Sequence, residues 1–120
     1  MAYKRAERVN ALLQRELAQL ISEELRDPRI DFATVTGVEV TPDLRSARVS
    51  VSVLGDDDRM RGTMTALEHA KQHLRHEIGR RTDLRFVPDL TFVADRSAAR
   101  ATRISALHRQ ATEAERRDDE

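Results

Sequence analysis

Residues 34–53, with the sequence TVTGVEVTPDLRSARVSVSV, decide the fold of this chain. Apolar and polar side chains alternate on both sides of Pro42 and Asp43, which is typical of strands that bury one face. Proline and aspartate favour turn positions, so we predict that the two strands form an antiparallel hairpin.

An amphipathic helix is predicted before the hairpin, over about residues 6–25. Its apolar side chains recur at three- and four-residue spacing, with charged and amide side chains between them: Val9, Leu12, Leu13, Leu17, Leu20, Ile21 and Leu25. Asp27-Pro28-Arg29 ends this helix, because proline cannot continue the hydrogen-bond ladder. The arginine is placed to bond the last helix carbonyls.

A second helical segment is predicted after the hairpin. Asp56, Asp57 and Asp58 supply carboxylates for its N-terminus, where the helix dipole favours negative charge. Its apolar stripe comprises Met60, Met64, Leu67, Ala70, Leu74 and Ile78. We expect Gly79 to cap its C-terminus, with Arg80 and Arg81 beside the negative end of the dipole.

A third strand is predicted at residues 89–94, and Ser97 is expected to open a final helical stretch that carries Ile104 and Leu107. A hairpin followed by a helical crossover to a third strand predicts an α+β fold with helices packed on one face of the sheet. We expect residues 1–108 to form one domain and residues 109–120 to form a charged, disordered tail.

The length and composition of the chain exclude several classes of protein. The chain has 120 residues, enough for one small domain, and no cysteine, which excludes disulfide frameworks and thiolate zinc sites. The absence of a long apolar run argues against a membrane helix or secretory signal, so a cytoplasmic location is expected.

Motifs for catalysis are not found in the sequence. Glycine-rich dinucleotide and phosphate loops and the nucleophile elbow are all missing, so we expect no enzymatic activity and no cofactor. His69, His73 and His76 have helical spacing that could share a metal, but surface histidines are the favoured interpretation. For the three aspartates at residues 56–58, helix capping is favoured over magnesium binding.

The charge distribution is more informative than the net charge of zero, which by itself argues against a strongly cationic nucleic-acid binder. Residues 59–109 carry eleven positive and five negative groups, and arginine accounts for 19 of the 21 basic residues. Arginine suits bidentate phosphate contact. The three phenylalanines are expected in the core, so any binding to nucleic acid should use its backbone and shape rather than base stacking.

Short motifs in the right order make the chain resemble bacterial ribosome-binding factor A over about residues 5–108. They are Arg8-Val9, Asp27-Pro28-Arg29, Val38, Pro42 to Val49, Leu84 to Phe92, Asp95-Arg96-Ser97 and Arg103-Ile104. The resemblance implies a KH-like (type II) fold of order αββααβ with a three-stranded sheet, followed here by a C-terminal helical extension.

The resemblance also implies a function. Family members are not enzymes; they bind the immature small (30S) ribosomal subunit and its rRNA, assist late maturation including 16S rRNA 5′-end processing, and are important for cold adaptation. We expect a cytoplasmic monomer that makes no membrane contact, with other assembly factors such as assembly GTPases as possible partners.

The expected RNA contacts form two groups, for which ordinary solvated charge is the alternative interpretation. One group surrounds the end of the helical crossover and the other lies near the N-terminus: Lys71, Gln72, Arg75, Arg80, Arg81 and Arg85, and then Lys4, Arg5 and Arg8. The family's Ala-x-Gly kink aligns with Ala70-Lys71-Gln72, where glutamine replaces the glycine. Either a shallower kink or a nearly continuous helix is expected there.

Two other functional classes stay open. In a protein-interaction module, the first helix or the acidic tail would dock on another factor and RNA would be incidental. In a metal-dependent hydrolase, the histidines would hold the metal.

Overall fold

The computed structural model describes residues 2–25, 27–31 and 33–96. Its elements are α1 (Ala2–Glu23), a short 3-10 helix (Pro28–Ile30), β1 (Ala33–Val40), β2 (Ser46–Val53), α2 (Asp57–Arg81) and β3 (Asp89–Ala94). The predicted C-terminal helical extension from Ser97 and the predicted tail at residues 109–120 lie outside the described residues.

The sheet has the strand order β1-β2-β3. The hairpin predicted from residues 34–53 is confirmed, because β1 and β2 pair antiparallel from Ala33↔Val53 to Val40↔Ala47. β3 occupies residues 89–94 as predicted and pairs parallel to β2 from Ser46↔Asp89 to Val51↔Ala94. The α+β fold class with a three-stranded sheet is therefore confirmed.

A β-bulge in β1 changes which residues face the core. Val35 pairs with Val51, whereas Gly37 pairs with Ser50, so Thr36 is an extra residue without a pairing partner. Val35 lies before this extra residue and Val38 after it, and both side chains are buried. The Thr36 hydroxyl donates a hydrogen bond of 2.7 Å to Asp95 Oδ2 and so ties the bulge to the end of β3.

Both helices pack on the apolar face of the sheet. α1 lies against β1, where Asn10 Oδ1 accepts a hydrogen bond of 2.8 Å from the Val40 N–H, and α2 lies against β3. The core has members from every helix and strand, and those without any solvent exposure are Leu13, Leu17, Leu20, Val49, Val51, Leu67, Leu74 and Ile78. One continuous core therefore joins the helices to the sheet.

The helical crossover is one uninterrupted helix of 25 residues, so the described order is αββαβ rather than αββααβ. Gln72 stands inside this helix and has ordinary helical conformation, since no described residue of α2 has a positive φ. Of the two alternatives for Ala70-Lys71-Gln72, the continuous helix is the one observed. A glutamine loses little freedom in a helix, so nothing breaks the ladder there.

The ends of the helices differ in detail from the predictions. α1 begins at Ala2 and ends at Glu23, earlier at both ends than predicted. The cap predicted at Gly79 is wrong: α2 continues to Arg81, where the Thr82 N–H and hydroxyl both donate to Ile78 O at 3.1 and 2.7 Å. The aspartate cap is confirmed, because Asp56 accepts a hydrogen bond of 2.8 Å from the Arg59 N–H.

The segment after α1 also corrects one prediction. Arg29 does not bond the last carbonyls of α1; its guanidinium lies 2.7 Å from Asp27 Oδ2 instead. Asp27 caps the 3-10 helix by accepting from the Arg29 N–H at 3.0 Å. These hydrogen bonds lower the pKa of the Asp27 carboxyl to about 2.

Candidate nucleic-acid interface

The predicted contacts on α2 differ in exposure, and the side chain of Lys71 is only 27% exposed. Lys71 Nζ pairs with Glu68 at 2.7 Å, and Arg80 pairs with Glu77 at 3.0 Å while two-thirds of its side chain stays exposed. Gln72 is exposed. Each cation therefore has a carboxylate one helical turn away, which reduces the positive potential of this surface.

Arg75 makes structural contacts. Its guanidinium donates to the carbonyl oxygens of Val87 at 2.8 Å and Pro88 at 3.2 Å, and it pairs with Asp89 at 3.2 Å. Only 25% of the side chain is exposed. Arg75 therefore joins the C-terminal half of α2 to the loop that leads into β3.

Arg81 joins the two helices. Its guanidinium pairs with Glu24 of the segment after α1 and lies 3.8 Å from Glu77 and 4.0 Å from Glu16. His73 Nε2 lies 3.7 Å from Glu24, so one histidine and two carboxylates approach one another here. Because Arg81 already pairs with both carboxylates, this cluster is described best as an ion-pair network.

A pocket at one end of the domain brings together two residues from the two predicted groups. Arg5 of α1 and Arg85 of the α2–β3 loop both line a cavity of about 330 Å³, together with Arg45 from the hairpin turn. We call this cavity the arginine pocket; its remaining lining residues are Val9, Asp43, Leu44, Leu84 and Phe86. Of these described lining residues, three are arginines, one is an aspartate and four are apolar.

The aromatic side chain in this pocket contradicts a sequence-based expectation. Phe86 is not in the core, because 54% of it is exposed, and the Arg45 guanidinium carbon lies 6.0 Å from the centroid of its ring. Phe92 is buried as expected, and Phe32 lies outside the described residues. The contact between Arg45 and Phe86 spans 41 positions of the chain, so no local sequence pattern predicts it. The adjacent residues Arg85-Phe86 were the one local indication that an aromatic ring lies beside a cation here.

Asp43 is the one acidic side chain among the described residues that line the pocket, and it holds the hairpin turn in shape. It accepts hydrogen bonds from the Thr41 hydroxyl at 2.6 Å and the Arg45 N–H at 3.1 Å, and both lower the pKa of its carboxyl. The carboxylate is therefore ionised at neutral pH. Because the three arginines outnumber this carboxylate, the pocket has an excess of positive charge, which suits an anionic partner.

The other members of the N-terminal group lie outside the pocket. Lys4 and Arg8 are exposed on the first turns of α1. Across residues 2–25, 27–31 and 33–96, no ion pair involves Lys4, Arg5, Arg8 or Arg85. These four cations are therefore the members of the predicted set that keep their charge available.

The fold and the pocket define a small KH-like α+β domain with a positively charged end. The ribosome-binding factor A family matches residues 5–108, and the chain belongs to this family. It is 44% identical to ribosome-binding factor A of Desulfitobacterium hafniense over 119 residues, which cover 99% of this chain and 95% of that protein. The Nitrosococcus oceani protein is also 44% identical, over 94% of this chain and 89% of its own length.

Solved structures of the same family have the same fold. The crystal structure of ribosome-binding factor A from Thermus thermophilus is similar with a TM-score of 0.68 and 30% identity, covering 77% of this chain and 98% of that one. A homology model of the Thermus thermophilus factor, fitted into a cryo-EM map of its complex with the 30S subunit, gives a TM-score of 0.62 and 32% identity; it covers 72% of this chain and 91% of that one.

Neither of the two described helices, α1 and α2, is both long enough and apolar enough to cross a bilayer.

Proposed function

We propose that this chain binds the immature small ribosomal subunit through its rRNA and assists late maturation, including processing of the 5′ end of 16S rRNA. The observation that carries the proposal is the family match over residues 5–108, in a family with a member fitted into a 30S complex. We also propose that this role is important at low temperature, because RNA secondary structure is then harder to rearrange.

The arrangement of charge supports RNA as the partner. The arginine pocket holds three guanidinium groups, and Lys4 and Arg8 extend the positive surface along the first turns of α1. Guanidinium groups bind phosphates with two parallel hydrogen bonds, so this surface suits the RNA backbone. Lys71, Gln72 and Arg80 stay predicted contacts on a second surface, where neighbouring carboxylates weaken them.

The mechanism follows from differential binding. A domain that binds an immature rRNA conformation better than the mature one stabilises the immature state against misfolding and dissociates when maturation removes its site. Binding of this kind needs no bond to be made or broken, and we propose a binding factor rather than an enzyme. We propose that the protein acts as a monomer in the cytoplasm, and that assembly GTPases are further partners.

Co-sedimentation with purified small subunits tests the binding step. Because phosphate contacts release counterions, the logarithm of the binding constant should fall by about 0.7–0.9 per phosphate for each unit of log salt concentration. Arg5→Ala and Arg85→Ala should each weaken binding and reduce this slope. Arg48→Ala is the matched control, since Arg48 is an exposed arginine of β2 that pairs with Glu39 at 2.6 Å.

Two results would contradict the proposal. A salt-insensitive complex with another protein, without sedimentation with subunits, would favour the protein-interaction module. Deletion of the gene should lead to accumulation of 5′-extended 16S precursor at low temperature; normal processing in that strain would refute the maturation role.

A further inference from the structure

We propose that the arginine pocket binds one unpaired nucleotide of the RNA, with the base against Phe86 and the flanking phosphates on Arg5 and Arg85. The proposal rests on the proposed function and adds a place and a mode of contact. It differs from the backbone-only contact that the sequence predicts, because a base enters the site.

The first argument is the position of the Phe86 ring. Isolated exposed apolar side chains are common and carry no meaning alone. Phe86 differs because its backbone is held on a fixed loop: Pro88 is fully buried, Val87 packs against the core, and Arg75 bonds the carbonyl oxygens of both. The ring therefore lies at the surface on a rigid support, as a stacking surface requires.

The second argument is the charge around the ring. The Arg45 guanidinium carbon lies 6.0 Å from the ring centroid, within the range of a cation–π contact, and Arg5 and Arg85 line the same cavity. The Phe86 ring has Arg45 over one face and two further arginines in the same cavity, so one site offers a stacking surface and phosphate donors. Single-stranded nucleic acid presents the same two chemical groups, a flat base and a charged phosphate.

The third argument is that the pocket is already formed. The hairpin turn on its wall is closed by hydrogen bonds of 2.9 Å from Thr41 N–H to Ser46 O and 2.8 Å from Leu44 N–H to Thr41 O. The Asp89 N–H donates to Arg45 O at 2.9 Å and joins the turn to β3. A site with fixed walls pays little ordering cost when it binds.

The apolar part of the lining favours a nucleotide over an acidic peptide. Val9, Leu44 and Leu84 line the cavity beside the arginines, and its volume is at the lower end of the range of about 300–1,000 Å³ for small-molecule sites. A carboxylate side chain would use the guanidinium groups and leave the Phe86 ring and the aliphatic side chains without contact. A nucleotide can contact the guanidinium groups, the ring and the aliphatic side chains together.

The experiment measures the binding of a fluorescein-labelled, single-stranded RNA of about ten nucleotides by anisotropy, beside a duplex RNA of the same length. Phe86→Leu keeps an apolar side chain and removes the aromatic face. We expect it to weaken single-strand binding about 10-fold and to leave duplex binding unchanged, whereas Arg85→Ala should weaken both. Replacing the bases by abasic sites should remove the difference between Phe86→Leu and wild type.

Leu54→Ala is the matched control, because Leu54 is another exposed apolar side chain, 71% exposed just after β2. It should bind both RNAs like wild type. Thermal unfolding of each variant checks the fold, and an exposed Phe86 should be replaced with little change in stability.

Each outcome decides between the two proposals. Equal single-strand affinity of Phe86→Leu and wild type, or no single-strand binding by wild type, overturns the nucleotide site even if the protein sediments with small subunits. A loss of single-strand affinity in Phe86→Leu supports the nucleotide site; if the wild-type protein then fails to sediment with subunits, the proposed ribosomal function is the part that fails.

Discussion

Replacing Arg75 with alanine should destabilise the domain without touching its apolar core. The side chain donates to the main-chain carbonyls of Val87 and Pro88 and pairs with Asp89, and these contacts hold the loop that leads into β3. Truncation leaves two carbonyl oxygens without their donor. The loop would then be joined to α2 by packing alone.

The magnitude follows from these contacts. A hydrogen bond to a charged group contributes about 1.5–3 kcal/mol when buried, and Arg75 is a quarter exposed, so water replaces part of the loss. The pair with Asp89 adds less than about 1 kcal/mol, because that carboxylate is mostly exposed. We expect a loss of about 2–3 kcal/mol in the free energy of unfolding and a fall in Tm on the order of 10 °C.

Urea unfolding followed by circular dichroism measures this loss. Arg61→Ala is the matched control: Arg61 is an arginine of the same helix, 72% exposed, and its partner Asp58 is exposed as well. It should change stability by less than about 0.5 kcal/mol. If Arg75→Ala unfolds within that same margin of wild type, the structural role assigned to Arg75 is wrong.

Three further predictions concern backbone and charge. The Asp27 carboxyl should titrate near pH 2 when its chemical shift is followed by NMR. The stability that this lowered pKa contributes is present above pH 3.8 and is lost as the pH falls toward 2. A titration midpoint of 3.8 would contradict the contact with Arg29. Gly55→Ala should lower the free energy of unfolding in urea by about 1–2 kcal/mol. Gly55 has a φ of 129°, and a Cβ there would lie 2.6 Å from Arg59 Cδ. Unchanged stability would show that the turn relaxes freely. Gln72→Gly should cost about 0.5–1 kcal/mol in the same assay, and a gain in stability would argue against the continuous helix.

The sheet could be predicted from the sequence because each strand has a local pattern. Alternation of apolar and polar residues located β1 and β2, and the same signal gave both ends of β3 at Asp89 and Ala94. The bulge at Thr36 was less visible, since it shifts the alternation by one position and so places both Val35 and Val38 in the core. The order of elements and the aspartate cap at Asp56 followed from equally local signals.

The site was harder to predict because its contacts are long-range. The ion pair of Arg81 with Glu24 spans 57 positions, and no local spacing shows that this arginine is already occupied. The three arginines of the arginine pocket, Arg5, Arg45 and Arg85, stand about forty positions apart in the chain. Charge counting found the basic segment, but only the fold shows which cations meet.

The mixed pairing of β2 also divides the arginine pocket into a local part and a long-range part. Arg45 stands in the short turn that joins β1 to β2, so its position depends on contacts that are close in the sequence. Arg85 and Phe86 stand on the far side of α2, just before a strand that pairs parallel to β2. The pocket therefore depends on the pairing of β3, and a chain in which β3 is not paired with β2 lacks the site.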